Sequence, residues 1–312
     1  MGLPPELEAR FAAASATITE PEQLRTYECD GLTGRRVVPA LVALPATAAE
    51  VRAVVRICHA AGIPFVARGA GTGLSGGALP VAEGVVISLA RLNRILEIDL
   101  DAGQIVVEPG VTNLDVTRAV SGDGFYYAPD PSSQQVCTIG GNIAENSGGA
   151  HCLKYGFTVN HVLGATVVLP DGELVELGGP VADPIGYDLR GALVGSEGTL
   201  GVVVEVVLRI LRRPEATRTF FATFPSTTEA GSASTSTLRP RPSAAVGLTP
   251  GPTPPLAEPS IAWCSLIVSP QNASSPNVSK RKTVCPRFTL SAALVTTSCA
   301  ALRAVFAPPS GP

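Results

Sequence analysis

The feature that most narrows what this chain can fold into is Arg68-Gly-Ala-Gly-Thr-Gly-Leu-Ser-Gly-Gly-Ala78, with five glycines in eleven residues. Without a Cβ, such a run turns sharply and can aim several backbone N–H groups at one point, a geometry that holds anionic oxygen. It directly follows Ile63-Pro-Phe-Val-Ala67, an apolar run read as a strand. Gly71 to Gly76 satisfies Gly-x-Gly-x-x-Gly. Yet no helix-forming run follows, and no acidic residue stands where a second strand of a dinucleotide-binding βαβ unit needs one. A glycine loop with a purely structural role is the plainer alternative.

The surroundings of the loop read as a small α/β unit. Leu41–Leu44 is a short apolar strand ending at Pro45. Thr47-Ala-Ala-Glu50 is a capping box, Val51, Val54, Val55 and Cys58 recur at helical spacing, and Gly62 closes the helix. Further strands are expected at Val85–Leu89, Ile95–Asp99 and Ile105–Glu108, and a helix from Thr112 to about Val120. Pro170-Asp171-Gly172 joins a hairpin of Ala165–Leu169 and Leu174–Leu177. The β-branched run Leu200–Leu211 predicts a buried strand or pair of strands, with Val202, Val204, Val206 and Leu208 on one face that needs a partner layer. Two clusters of strands with helices between them give the fold class α+β.

Two more motifs carry chemistry. In Pro129-Asp-Pro-Ser-Ser-Gln-Gln-Val-Cys-Thr-Ile-Gly-Gly-Asn-Ile-Ala-Glu-Asn-Ser-Gly-Gly149, apolar Ile139, Ile143 and Ala144 alternate with small residues that permit close backbone approach. Asn142 and Asn146 there can donate and accept hydrogen bonds without charge, which suits a flat ring with polar edges; a long glycine-rich surface loop is the alternative. In Gly195-Ser-Glu-Gly-Thr-Leu-Gly201, tight turns place Glu197 beside a buried strand, although read singly Glu197 is a solvated turn acid.

In this order and spacing the three motifs resemble the FAD-binding domain of the vanillyl-alcohol oxidase/p-cresol methylhydroxylase flavoprotein family. Within it the chain is similar, from about Leu3 to Ala230, to members that oxidise 2-hydroxy acids such as glycolate or D-lactate. The resemblance implies two α/β subdomains with FAD between them. It places Arg68, Gly69, Gly71, Thr72, Gly73, Leu74 and Ser75 at the FAD diphosphate. It places Pro129, Asp130, Thr138, Gly140, Gly141, Asn142, Ala144, Ser147 and Gly149 along the ribityl, isoalloxazine and adenine side, and Glu197, Gly198 and Val203 at the adenine-ribose end. Some relatives bind FAD covalently through a histidine at the position of Thr72, which cannot form that bond, so non-covalent FAD is expected. Hydride transfer from the substrate α-carbon to the flavin is the implied chemistry. An iron–sulfur subunit and a second flavoprotein subunit are the implied partners. No catalytic residue is assigned, and His151 and His161 read as hydrogen-bonded loop or core histidines.

Composition divides the chain near Ser232. Of 32 glycines, 29 lie in residues 1–232, whereas residues 233–312 hold 13 of the 28 prolines and seven basic residues against one acid, Glu258. Proline lacks a backbone donor and fixes φ, so no regular structure is expected there. The segment is read either as a natural Pro/Ser/Thr-rich linker or as the product of a shifted reading frame, since Thr223–Ala230 starts like a strand entering a helix and then loses its pattern.

The expected organisation is therefore a helical segment over 1–35, an FAD-binding domain over 36–213, the start of a substrate cap over 214–232, and an atypical tail over 233–312. An absent cap would leave an FAD-binding fragment without activity, which stands as the alternative to an oxidoreductase subunit. A relative with other chemistry, such as ether-lipid synthesis, is a third reading. The net charge of −3 and interspersed signs speak against a nucleic-acid partner. Seven cysteines without a CxxC pair, and three histidines, give neither a zinc site nor a disulfide framework. No uncharged apolar run reaches 18 residues, and Met1–Thr19 lacks a signal peptide's pattern. A cytoplasmic protein, or one held at the membrane surface by partner subunits, is expected.

Overall fold

A computed structural model describes residues 2–179 and 186–214, together with the backbone of strands 218–224, 260–267 and 291–296. The chain forms two compact units, Met1–Arg213 and Pro214–Pro312. The first begins with helix α1 (Pro5–Ala14), strand β1 (Ala16–Ile18) and helix α2 (Pro21–Leu24). Strand β2 (Leu41–Leu44), helix α3 (Ala48–Ala61), β3 (Phe65–Arg68) and β4 (Val85–Ser88) follow. These strands make one sheet in the order β1-β2-β4-β3, parallel within β2-β4-β3 and antiparallel at β1. The segment read as a helical lead-in thus supplies an edge strand, and Phe11 of α1 is fully buried against Val51, Val54 and Val55 of α3.

Helix α3 shows why this unit was legible. Thr47 accepts a hydrogen bond from Glu50 N, and Glu50 Oε2 accepts one from Ala46 N at 2.9 Å. Gly62 ends the helix at φ +64°, where a Cβ would strain the backbone.

A second sheet follows. It comprises β5 (Ile95–Asp99), β6 (Gln104–Val107), β8 (Val162–Val168), β9 (Leu174–Gly178) and β10 (Val202–Arg209), in the antiparallel order β5-β6-β10-β8-β9. Between β6 and β8 lie α4 (Asn113–Val120), the short strand β7 (Phe125–Tyr126), α5 (Ile139–Glu145) and α6 (Cys152–Tyr155). Helix α7 (Leu189–Leu193) precedes β10, and β11 (Leu211–Arg212) pairs with β7. Val116, Val120, Ile139, Ile143 and Leu193 pack the helices onto this sheet.

Mixed helix and strand content agrees with the α+β expectation, but the second subdomain is antiparallel rather than an α/β unit. The hairpin turn is as expected: Gly172 N donates to Leu169 O, and Gly172 sits at φ +84°. The expected one-sided alternation along β10 is not observed. A register shift between Val203 and Glu205 exchanges the faces. Val202 and Val204 enter the core of the first sheet, whereas Val206 and Leu208 enter that of the second. One strand thereby ties both subdomains together, and its partner layers come from within the first 213 residues.

The second unit contains β12 (Arg218–Phe224), β13 (Ser260–Ile267) and β14 (Ser291–Thr296), an antiparallel sheet in that order. Two of these strands fall in the Pro/Ser/Thr-rich segment. The expected passage from strand to helix within Thr223–Ala230, beyond Phe224, and the rest of residues 233–312 lie outside the described residues.

Candidate functional site

The glycine run leaves the end of β3 as a loop that lines a cavity of about 560 Å³. Arg68 holds the loop at its base. Its guanidinium is buried, and Nη1 donates to Ala78 O at 3.2 Å, joining the two ends of the run. Burial pushes the Arg68 pKa down, with Asp30 the largest opposing influence. Gly71 and Gly76 lie at φ +68° and +88°, and a Cβ on Gly71 would collide with the Arg68 guanidinium.

The backbone amides of this loop are the notable donors. Among the described residues, no N–H from Gly69 to Ala78 donates to a protein acceptor. Half-buried amides are nearly always paired, so the unpaired ones of the half-buried residues Gly69, Ala70, Gly71, Thr72 and Gly73, which line the cavity, can serve an acceptor the chain does not itself provide.

Helix α5 forms the facing wall. Thr138 caps it, accepting from Gly141 N at 3.3 Å. Its first amides are already satisfied: Ile139 N donates to Val111 O and Gly140 N to Pro109 O. These amides are therefore not free to bind an anion. Gly140 has no room for a side chain, since a Cβ there would stand 2.7 Å from Pro109 Cβ. Residues 139–145 are helical, which rules out the alternative of a glycine-rich surface loop over that part of the motif. Asn142 lines the cavity, but its side chain is committed to the protein, accepting from Asn113 Nδ2 at 2.9 Å and donating to Cys137 Sγ at 3.3 Å. Asn146 is the left-handed cap that ends α5, at φ +48°, and its Oδ1 accepts from Val159 N. Its side chain is thus engaged within the protein, and Asn146 does not line the cavity.

The third wall is the turn before β10. Gly195 N and Glu197 N donate to Ile143 O and Ala144 O, each at 2.8 Å, stitching the turn to α5. Glu197 adopts φ +53°, an uncommon conformation for a side-chain-bearing residue. Its Oε2, and Oε1 of Glu145, would stand 3.3 and 2.9 Å from a Cβ on Gly77. Ser75 Oγ donates to Glu145 Oε2 at 2.8 Å. Two carboxylates thus border the far end of the glycine loop as acceptors.

Of the residues expected from the sequence, Arg68, Gly69, Gly71, Thr72, Gly73, Leu74 and Ser75 line the cavity. So do Thr138, Gly140, Gly141, Asn142, Ala144, Ser147, Glu197, Gly198 and Val203. Pro129, Asp130 and Gly149 do not. Pro129 O accepts from Asn113 Nδ2, and Asp130 packs against Gly149 and holds His151 through Oδ2–Nδ1 at 2.5 Å. These three buttress the neighbouring Pro131, Ser147 and Gly148, which do line it. The bond to Asp130 raises the pKa of His151, while burial lowers that of His161, whose Nε2 meets Tyr155 O.

Sequence reasoning missed Glu145, Cys137, Pro109 and Leu89 as lining residues. A helix reading of residues 139–145 would have put Glu145 beside Ala144. Cys137 stands inside the Pro129–Gly149 motif beside Thr138, whereas Pro109 and Leu89 arrive through the tertiary fold and leave no local signal.

Unpaired amides along one wall, side-chain-free positions on the facing wall, and an apolar floor of Leu89, Ile143, Leu193 and Val203 fit a diphosphate-bearing ligand with a flat ring. Comparison with known proteins agrees: residues 39–178 match the FAD binding domain family, so this chain carries an FAD-binding domain. Its relatives are FAD-linked oxidoreductases. The glycolate oxidase subunit GlcD of Escherichia coli K12 is 49% identical over 210 residues, covering 67% of this chain and 42% of that protein. D-2-hydroxyglutarate dehydrogenase of Xanthomonas citri is 39% identical over 209 residues, covering 67% and 44%. D-lactate dehydrogenase of Anaerostipes hadrus is 42% identical over 168 residues, covering 54% and 35%. Among solved structures, an alkyldihydroxyacetonephosphate synthase aligns with a TM-score of 0.67 at 25% identity, covering 75% of this chain and 45% of that one. The chain spans less than half the length of these relatives. Among the described residues, no helix is long and apolar enough to cross a membrane.

Proposed function

We propose that this chain is the FAD-binding part of an oxidoreductase subunit acting on a 2-hydroxy acid such as glycolate or D-lactate. The observation that carries the reading is the set of unpaired amides in the glycine loop from Gly69 to Ser75, which lines one cavity with α5, within a segment 49% identical to a glycolate oxidase subunit. Bound FAD supplies the capacity to accept a hydride from the substrate carbon. The chain supplies the binding. Amides of Gly69, Gly71, Thr72, Gly73 and Leu74 would hold the diphosphate oxygens, and Arg68 would add positive charge. Thr138, Gly140, Gly141, Ala144 and Ser147 let the cofactor lie close to α5. Glu197 would accept from ribose hydroxyls, with Gly198 and Val203 lining that end. Thr72 offers no nucleophile able to attach the flavin, so the cofactor is dissociable.

The relative's description as a subunit supports assembly with further subunits, which we take to be an iron–sulfur protein and a second flavoprotein. A cytoplasmic location, free or at the membrane surface through such partners, accompanies that reading. The test is to add FAD to the purified chain, desalt, record the visible spectrum, and then add glycolate or D-lactate without oxygen. A perturbed flavin band that bleaches supports the proposal. A colourless protein overturns the cofactor site, and a yellow protein bleached by no 2-hydroxy acid overturns the substrate class.

A further inference from the structure

We infer that the segment Tyr27–Gly31, which precedes the matched FAD-binding domain, is a working part of the diphosphate site: it aims the loop amides from behind. The inference rests on the FAD reading of the glycine loop. Gly31 faces the back of that loop, where a Cβ would stand 2.9 Å from Thr72 O and 2.6 Å from Gly73 O. The two carbonyls therefore point at Gly31. A peptide unit is planar and trans, so its N–H points opposite to its C=O. The amides of Gly73 and Leu74, which belong to those same two units, must point away from Gly31. Both residues line the cavity, and neither amide has a protein acceptor. Gly31 is the spot into which the loop sinks its oxygens so that its hydrogens face the ligand.

Two neighbours of Gly31 brace the arrangement. The Tyr27 ring lies 5.6 Å from Arg68 Cζ, backing the guanidinium that bridges the ends of the loop. Asp30 is buried; its Oδ1 accepts from Leu32 N at 2.8 Å, and its Oδ2 has no hydrogen-bond partner. It is the foremost charge opposing the effect of burial on Arg68. One short segment thus carries the contact that orients two amides, the ring behind the bridging cation and that cation's compensating charge.

Gly31 does not adopt a positive φ. Gly31→Ala therefore introduces a clash with the loop carbonyls and no strain of its own backbone. Gly34, three residues beyond that segment, has nothing within 4 Å of its Cβ position, so Gly34→Ala is the matched control. We would titrate the full chain with FAD and with ADP, and record the flavin spectrum at saturation. Gly31→Ala is expected to weaken FAD and ADP together by at least about tenfold, while Gly34→Ala keeps wild-type affinity. At saturation the flavin band keeps its wild-type position, because the α5 wall is untouched. Tyr27→Leu, at a partly exposed position, is expected to weaken both ligands more mildly, and it decides the matter if Gly31→Ala does not fold. Unchanged FAD affinity in the folded variant, or a shifted flavin band, overturns the inference. A wild-type chain that binds no FAD overturns instead the cofactor reading on which it rests.

Discussion

Thr138 Oγ1 occupies the space that a side chain on Gly69 would need. The glycine loop and the cap of α5 therefore meet at one point, where the same hydroxyl accepts from Gly141 N. Gly69→Ala is expected to cost about 1–3 kcal/mol through overpacking and to weaken FAD binding. Because the clash is with one atom, adding Thr138→Ala should recover part of the loss in spite of the missing cap. Urea unfolding of the two single variants and the pair measures this; strictly additive effects would disprove the shared contact.

Phe11 is fully buried beneath α3. Phe11→Ala is expected to destabilise the first unit by about 3–5 kcal/mol, as read from its unfolding midpoint in denaturant. A change under about 1 kcal/mol would mean that the N-terminal helix is not part of the core.

The half-exposed His151 is tied to Asp130, and the bond raises its pKa above the ordinary 6.5. A histidine whose folded pKa is raised contributes stability that is fully present below the unfolded value of about 6.5 and is lost as pH rises through the folded value. The wild-type chain should therefore lose stability on going from about pH 6 to pH 8 relative to Asp130→Asn, which lacks the ionic partner. Parallel profiles of unfolding midpoint against pH would exclude the pair as a source of pH dependence.

Burial pushes the Cys58 thiol up to about 12. At pH 8 it stays protonated and covered, whereas Cys29 and Cys152 are partly exposed. Peptide mapping after brief alkylation of the native protein should find Cys29 and Cys152 modified and Cys58 intact. Early labelling of Cys58 would place α3 in a looser environment than the structure gives it.

Legibility followed how local each device is. Helix α3 could be read because Thr47, Glu50 and Gly62 act within their own segment, and the β8–β9 turn because Gly172 supplies its own positive φ. The glycine loop was recognisable for the same reason. Helix α5 was not, since Gly140 and Gly141 are poor helix formers and its first amides are satisfied by Val111 and Pro109, some 30 residues earlier. The bulge in β10 was hidden because an inserted residue exchanges faces without altering the β-branched composition. Gly31 gave no sign at all: its role depends on two carbonyls more than 40 residues away. Pro129, Asp130 and Gly149 were assigned to the ligand by their place in a motif, yet the fold uses them to support the residues that line the cavity.

The position of β10 also sets the order of events during synthesis. It is the last strand of the second sheet to leave the ribosome, yet it sits in the middle, hydrogen-bonded to β6 on one side and β8 on the other. Until residues 202–209 emerge, β6 and β8 each present an open edge, and both cores lack the valines that this strand contributes. A nascent chain arrested before that point already carries the glycine loop and α5 but lacks the strand that ties the two subdomain cores together. Ribosome-bound chains should acquire the cofactor abruptly, with the emergence of a single eight-residue strand.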